Sequence, residues 1–220
     1  MEKIIYKNRL PHYAPIGGCF FVTFRLADSL PTEVFMKLST DRKQELAKAR
    51  LSKSESTFDL EERINRKYFG LYDNELDLKG IGSCVLRQEG IRNIVANKLH
   101  KYHNSWYKLQ AYCIMPNHVH VLFDTGLQIE SVSGKSPWEK GRYAQLDWIM
   151  QHLKGGSSRV ANQELCRKGA FWQKDSYDHF VRSYDEWQRI VTYILNNPVK
   201  AGLVDDWTAW KGSYLFSEYS

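Results

Sequence analysis

Two histidines separated by one residue, His118 and His120, stand in the run Met115-Pro-Asn-His-Val-His-Val-Leu-Phe123. A neutral imidazole is a common ligand for divalent metals, and it also pairs readily with other polar groups inside a core. Val119, Val121 and Phe123 alternate with His118, His120 and Leu122, which is the pattern of a strand, so both rings project from one face two residues apart. That placement suits one divalent ion, and equally a hydrogen-bonded pair of histidines. Two ligands do not close a structural zinc site, which takes four, so a metal reading requires a third ligand from another element.

A second chemical candidate lies in the last strong helix, expected over 184–197. Its start is specified by Ser183 and Glu186, an S-x-x-E capping box. Trp187, Ile190, Val191, Ile194 and Leu195 make its apolar stripe. Tyr193 lies roughly 130° from the stripe centre and Asn197 roughly 90°, so a phenol and an amide share a flank with the Arg189 guanidinium. The helix does not need Tyr193 for its core face. The tyrosine is either an edge-packing side chain or a group with a task, and Pro198 is expected to end the helix.

The elements that must position these residues follow from periodicity. Tyr107–Met115 and the histidine run read as a hairpin turning at Pro116-Asn117. After Gly17-Gly18, Cys19–Leu26 reads as a strand with Phe20, Val22 and Phe24 on one face and Phe21, Thr23 and Arg25 on the other. Ser83–Tyr102 reads as a helix, Asp124–Gly141 as loop, and Arg142–Leu165 as a helix softened at Gly155-Gly156-Ser157-Ser158. Tyr177–Val181 reads as a fourth strand. The order strand, helix, strand, strand, helix, strand is that of an α+β, ferredoxin-like antiparallel sheet with helices on one face. The other face is then left for a site, with the tyrosine helix as a C-terminal addition.

The 220 residues are read as one domain. Residues 29–82 read as a helical insertion after the first strand, and 205–220 as a C-terminal tail. The insertion holds ten basic and ten acidic residues; removing them from totals of 31 and 25 leaves 21 against 15, so the net charge of +6 belongs entirely to the rest. That excess is compatible with a nucleic-acid partner. No apolar run approaches the roughly 20 residues of a membrane helix, and the start of the chain lacks the apolar core of a secretion signal, which points to the cytoplasm and away from a membrane partner. Cys19, Cys84, Cys113 and Cys166 show no C-x-x-C spacing, so reduced thiols are expected and a zinc knuckle is not.

Three blocks in order carry a resemblance. Met115–Phe123, then Phe171-Trp-Gln-Lys-Asp-Ser-Tyr-Asp-His-Phe-Val-Arg182, then Tyr193-Ile-Leu-Asn-Asn-Pro-Val-Lys-Ala-Gly-Leu-Val204 together resemble the single-tyrosine HUH transposases, most closely the REP-associated tyrosine transposases. The resemblance covers Gly17–Arg25 and Ser83–Val204, and leaves out the neutral insertion and the last sixteen residues. It implies an enzyme, a single-stranded DNA endonuclease and strand transferase that acts at palindromic, REP-like hairpins as a monomer or homodimer. It implies Tyr193 as nucleophile forming a 5′-phosphotyrosine. His118 and His120 become ligands of Mg²⁺ or Mn²⁺, with Asn197 as third ligand where many relatives have glutamine.

The chemistry suits the residues. A divalent ion polarises a phosphate and stabilises charge on its oxygens, and a covalent intermediate conserves the phosphodiester bond for rejoining. An ordinary tyrosine, with a pKa of about 10, is about one part in a thousand ionised at pH 7, and a nearby cation favours the phenolate. Lys154, Arg159, Lys174, Arg182, Arg189 and Lys200 are the candidate phosphate contacts, and Trp172 or Tyr177 the candidate platform for an unpaired base. An alternative keeps the fold and hairpin binding in a regulatory protein with little or no turnover. A third reading is a metal hydrolase that leaves no adduct.

Overall fold

The structure, a computed structural model, describes residues 5–7, 11–51, 57–78, 82–130 and 143–219. The chain divides into two compact units, one of Met1–Ala27 with Val85–Ser220 and one of Asp28–Cys84.

The first unit is built on a five-stranded antiparallel sheet. A short ribbon of β1 (Ile5–Lys7) and β2 (Pro11–Tyr13) comes first, and the sheet itself contains β3 (Cys19–Arg25), β4 (Lys108–Ile114), β5 (His118–Asp124), β6 (Tyr177–Val181) and β7 (Ser213–Leu215) in the order β6-β3-β5-β4-β7. The four strands expected from the sequence therefore stand as fourth, first, third, second, each antiparallel to its neighbour, which is the arrangement a split βαβ pair produces. Phe20, Val22 and Phe24 of β3, Tyr112 and Ile114 of β4, and Val119, Val121 and Phe123 of β5 form one core with Ile91, Val95 and Leu99 of α3 (Glu89–His100) and Ile149, Leu153 and Ala161 of α5 (Leu146–Glu164). The alternation in each strand thus delivers one apolar face to two helices.

Where the structure departs from the sequence reading, the reasons are local. The expected loop at 124–141 begins with a single turn, α4 (Leu127–Glu130), and 131–142 lie outside the described residues, as does the serine-rich 52–56. The expected helix at 83–102 is preceded by a 3-10 turn at Val85–Arg87 and starts at Glu89. Helix α5 runs unbroken through Gly155-Gly156-Ser157-Ser158. Ser157 is packed there, buried with its hydroxyl donated to the Leu153 carbonyl (2.6 Å), and Gly156 lies beneath the Lys98 side chain of α3.

Helix α6 (Tyr184–Lys200) passes through Pro198. Its end is set three residues later by a Schellman arrangement, in which Gly202 N–H donates to Val199 O (2.9 Å) and Leu203 N–H to Pro198 O (2.9 Å), with Gly202 at φ +63°. The proline falls in the last turn, where a missing donor leaves one carbonyl unserved and the helix continues. The final residues also do more than trail: β7 pairs with β4 through Ala111↔Leu215, Tyr112↔Tyr214 and Cys113↔Ser213. Three residues are too few for periodicity to reveal a strand.

The second unit consists of α1 (Thr32–Leu51) and α2 (Thr57–Asp77). Leu60, Ile64 and Tyr68 pack with Leu46, Ala49 and Tyr72, while Arg50–Glu61 (2.6 Å) and Lys67–Glu45 (2.7 Å) bridge the helices at the surface. Its two ends meet where Ser83 N–H donates to Asp28 Oδ2 (2.9 Å).

Gly202 is the checkable point in this account. Replacing it with alanine forces a side chain into the left-handed region, and urea unfolding should show a loss of about 1–2 kcal/mol.

Candidate functional site at the histidine strand and tyrosine helix

On the sheet face opposite α3 and α5, register decides which side chains meet. Thr23 of β3 stands opposite His120 of β5, and Arg25 opposite His118; Cys113 of β4 flanks His120 on the other side. Both imidazoles are fully buried. His118 Nδ1 lies 2.7 Å from Asn117 Oδ1, His120 Nδ1 lies 2.7 Å from Thr23 Oγ1, and the two Nε2 atoms are 2.9 Å apart. Phe21, one alternation along β3, stacks on His120 with centroids 5.8 Å apart at 22°.

Helix α6 brings the tyrosine to this face. Its start is capped by Ser183 Oγ, which accepts from Glu186 N–H (3.2 Å), while the Glu186 carboxylate meets His179 Nε2 on β6 (2.9 Å) and accepts from Arg182 N–H (3.0 Å). One turn in, Trp187 Nε1 donates to Gln110 Oε1 (2.8 Å), at the point where a bulge interrupts β4 between Leu109 and Ala111. The helix is thereby tied to both β6 and β4. Tyr193 is half-buried, its ring 5.3 Å from that of His120 and 5.8 Å from that of Phe21, edge-on to both.

Asn197, one turn past Tyr193, is 1% exposed, and neither atom of its amide has a hydrogen-bond partner among the described residues. A buried amide left in that condition costs about 1–3 kcal/mol, so α6 carries a buried polar group in want of a partner one turn from Tyr193. Two ring nitrogens sharing one ion at about 2.0–2.1 Å and right angles would lie about 3 Å apart. The paired Nε2 atoms of His118 and His120 suit a shared divalent ion, and Asn197 adds a buried, unserved amide on the helix that carries Tyr193.

The remaining sequence candidates fall into three groups. Arg159, Lys174, Arg182, Arg189 and Lys200 are exposed. Lys154 is half-buried, donating to the Lys174 carbonyl (2.7 Å); burial pushes its pKa down to about 8, with Asp175 opposing the fall and Arg25 adding to it. Trp172 is a correction. It is buried, edge-on to Phe24 (4.7 Å) and Phe171 (4.8 Å), with Nε1 donated to Ser157 Oγ (2.9 Å), so it is a core residue and offers no open face to a base. Tyr177 keeps partial exposure and packs edge-on against Phe21 (6.2 Å).

Sequence reasoning missed Thr23, Asn117, Phe21 and Gln110 as parts of this site. Thr23 was detectable in principle, because it alternates onto the same face as the histidines once β3 and β5 are paired. The register that makes it a neighbour of His120 was not. Gln110 depends on a bulge, which leaves no periodic trace.

The fold is an α+β protein with an antiparallel sheet, in which the buried histidine pair of β5 and the Tyr193 ring of α6 meet on one sheet face. In sequence the chain is similar to a REP-associated tyrosine transposase: a candidate member from Haemophilus influenzae is 25% identical over 104 residues, 46% of this chain and 56% of that protein. A second Haemophilus influenzae protein, described only as uncharacterized, is 29% identical over 104 residues, 42% of this chain and 54% of the relative. The matches thus span about half the length of these relatives. No family model matches. Among solved structures, a REP-associated tyrosine transposase bound to a REP hairpin aligns with TM-score 0.47 at 14% identity, over 94% of this chain and 81% of the other. A candidate transposase from Deinococcus radiodurans aligns with TM-score 0.32 at 15% identity, over 88% and 98%. Among the described residues no helix is long and apolar enough to cross a membrane.

Two measurements check the placements. Trp172→Ala should destabilise the fold by about 3–5 kcal/mol in urea unfolding, the cost of emptying a core aromatic site, where a surface platform would lose almost nothing. Lys154 has a folded-state pKa near 8 against about 10.4 unfolded. The unfolded chain therefore holds the extra proton between these values, and stability should rise as pH goes from 8 toward 9.5. Lys154→Met should flatten that rise. Above pH 10 the sign reverses, since burial holds the Tyr107 and Tyr112 phenols above the ordinary range, Tyr112 at about 12.

Proposed function

We propose that this protein is a metal-dependent single-stranded DNA endonuclease and strand transferase acting at palindromic hairpins, with Tyr193 as nucleophile. The observation that carries this reading is the Tyr193 ring 5.3 Å from His120, whose Nε2 is 2.9 Å from that of His118. The sequence likeness to a REP-associated tyrosine transposase supports it, and the palindromic hairpin is the substrate class that this resemblance implies.

In this mechanism the Tyr193 phenol oxygen attacks the scissile phosphorus while the bond to the upstream 3′ oxygen breaks. The phenol proton passes to that oxygen, leaving a free 3′-hydroxyl and a 5′-phosphotyrosine. Attack by another 3′-hydroxyl reverses the step and rejoins the strand without ATP. His118, His120 and Asn197 would hold Mg²⁺ or Mn²⁺, which when bound polarises the phosphate and stabilises charge on its oxygens. Phe21 packs edge-on to the phenol ring and against His120, which restricts the tyrosine to a narrow range of orientations. The exposed Lys174, Arg182, Arg189 and Lys200 supply phosphate contacts along the strand.

Labelled single-stranded DNA carrying the palindromes that flank the gene, incubated with protein and Mn²⁺, tests the reading on a denaturing gel. Label should migrate with wild-type protein and vanish with Tyr193→Phe or with chelator. Cleavage with no protein-linked label, under conditions that trap a short-lived adduct, would move the assignment to a hydrolase. Hairpin binding with neither cut nor adduct would move it to a regulatory DNA-binding protein.

A further inference from the structure

The helical layer, on the sheet face away from Tyr193, carries a cluster of rings that the histidine site does not use. Just past the end of α3, Tyr102 and Trp106 stack with centroids 3.7 Å apart at 7°. Trp106 meets Trp148 of α5 at 4.4 Å, and Trp148 meets His152 at 3.9 Å. The backbone beneath is pinned by Gln128, which donates to the Trp106 carbonyl (2.5 Å) and accepts from Ala144 N–H (2.7 Å) just ahead of α5. Trp148 nevertheless stays 41% exposed, so a rigid aromatic platform keeps one large ring open to solvent.

Cations rim these rings. Lys98 Nζ stands 4.9 Å from the centroid of Tyr102 and donates to its hydroxyl (3.0 Å), and Lys101 Nζ is 5.8 Å from the same centroid. On α5, at 100° per residue, Trp148, His152, Gly155 and Arg159 fall within about 60° of one another, turned away from the core residues Ile149, Leu153 and Ala161. Arg159 is exposed, and the stripe from Trp148 to it is about 16 Å long at about 1.5 Å per residue. Gly155 lies in the middle with nothing within 4 Å of its Cβ position. Internal packing therefore does not call for this glycine, which weakens a helix relative to alanine, and its bare backbone permits close approach between ring and guanidinium. The acidic neighbour, Asp147, has its carboxylate engaged by Trp148 N–H (2.7 Å).

We propose that this face is a second DNA-binding surface, specific for an unpaired strand, in which Trp148 stacks on a base while Lys98, Lys101 and Arg159 hold the flanking phosphates. The inference rests on the DNA reading given above, and not on its tyrosine chemistry. Aromatic platforms beside cations are what an unpaired strand requires, since every base has a face to stack and every nucleotide brings a negative charge. A second copy of this chain fits less well. A two-fold contact over Trp148 would set the cations of one copy against the same cations of the other. The surface gives the strand flanking a hairpin a hold that is independent of the cutting site.

Fluorescence anisotropy with labelled oligothymidine, which forms no hairpin, tests this in the full-length Tyr193→Phe protein with chelator present, so that no strand is cut. Adding Trp148→Ala should weaken binding about 5- to 150-fold, the loss of one base-stacking contact, and Trp148→Phe should restore most of it. Arg159→Gln should reduce the slope of log affinity against log salt by about 0.7, the share of one phosphate on a single strand. Trp148→Ala that is folded by circular dichroism and binds with unchanged affinity would overturn the proposal, as would an unchanged salt slope in Arg159→Gln or no binding of oligothymidine at all. Self-association that disappears with Trp148→Ala while DNA binding stays intact would overturn it too, in favour of an interface between copies. The tyrosine reading fails separately: it falls if wild-type protein forms no adduct on hairpin DNA, whatever Trp148 does to oligothymidine binding.

Discussion

Everything at the site depends on the pairing register of β3 with β5. Because side chains alternate, the register that sets Thr23 opposite His120 also sends Phe20, Val22, Phe24, Val119, Val121 and Phe123 into the core. A slip of either strand by one residue would expose its three large apolar side chains and turn its polar set toward the helices. Burial of each Val or Phe contributes about 1.5–3 kcal/mol, so the core enforces the register far more strongly than any polar contact at the site does. The histidine geometry is thus a by-product of hydrophobic packing on the opposite face.

The second requirement is that α6 dock at one height along the sheet. The apolar stripe alone permits sliding, since ridges of similar side chains offer several near-equivalent positions. Directional contacts remove that freedom: Trp187 to Gln110 on β4 and Glu186 to His179 on β6 grip the first turns of the helix at opposite sides of the sheet. Tyr193 follows almost two turns later on a rigid rod, so its position over Phe21 and His120 is determined by contacts remote from it. Preorganisation of this kind is what a site assembled from two elements demands.

How far the sequence discloses this arrangement depends on the range of each signal. The α+β class and its strands were legible because alternation and helical periodicity are local; Tyr177–Val181 emerges with the bounds read from the sequence. The histidine pair was likewise readable from spacing, as was Tyr193 lying off the apolar stripe, where it meets His120. Features produced by chain meeting chain were not. Thr23 is a neighbour of His120 only through register, Gln110 reaches Trp187 only through a bulge, and Trp172 turned inward because Ser157, on a helix expected to falter there, accepts its indole N–H. Pro198 misled for a different reason: proline stops a helix in its interior, whereas here Gly202 decides the end.

The closure of the Asp28–Cys84 unit upon itself at Ser83 and Asp28 bears on how such a protein diversifies. A segment whose ends meet can lengthen, shorten or be exchanged without pulling on the strands at either side. Chain entropy scarcely resists, since each doubling of a connection's length costs only about 0.6 kcal/mol. With its own apolar contacts among Leu60, Ile64, Tyr68 and Leu46, the pair of helices is a graft that carries its own packing, and its sequence is free to drift under selection separate from that acting on the sheet.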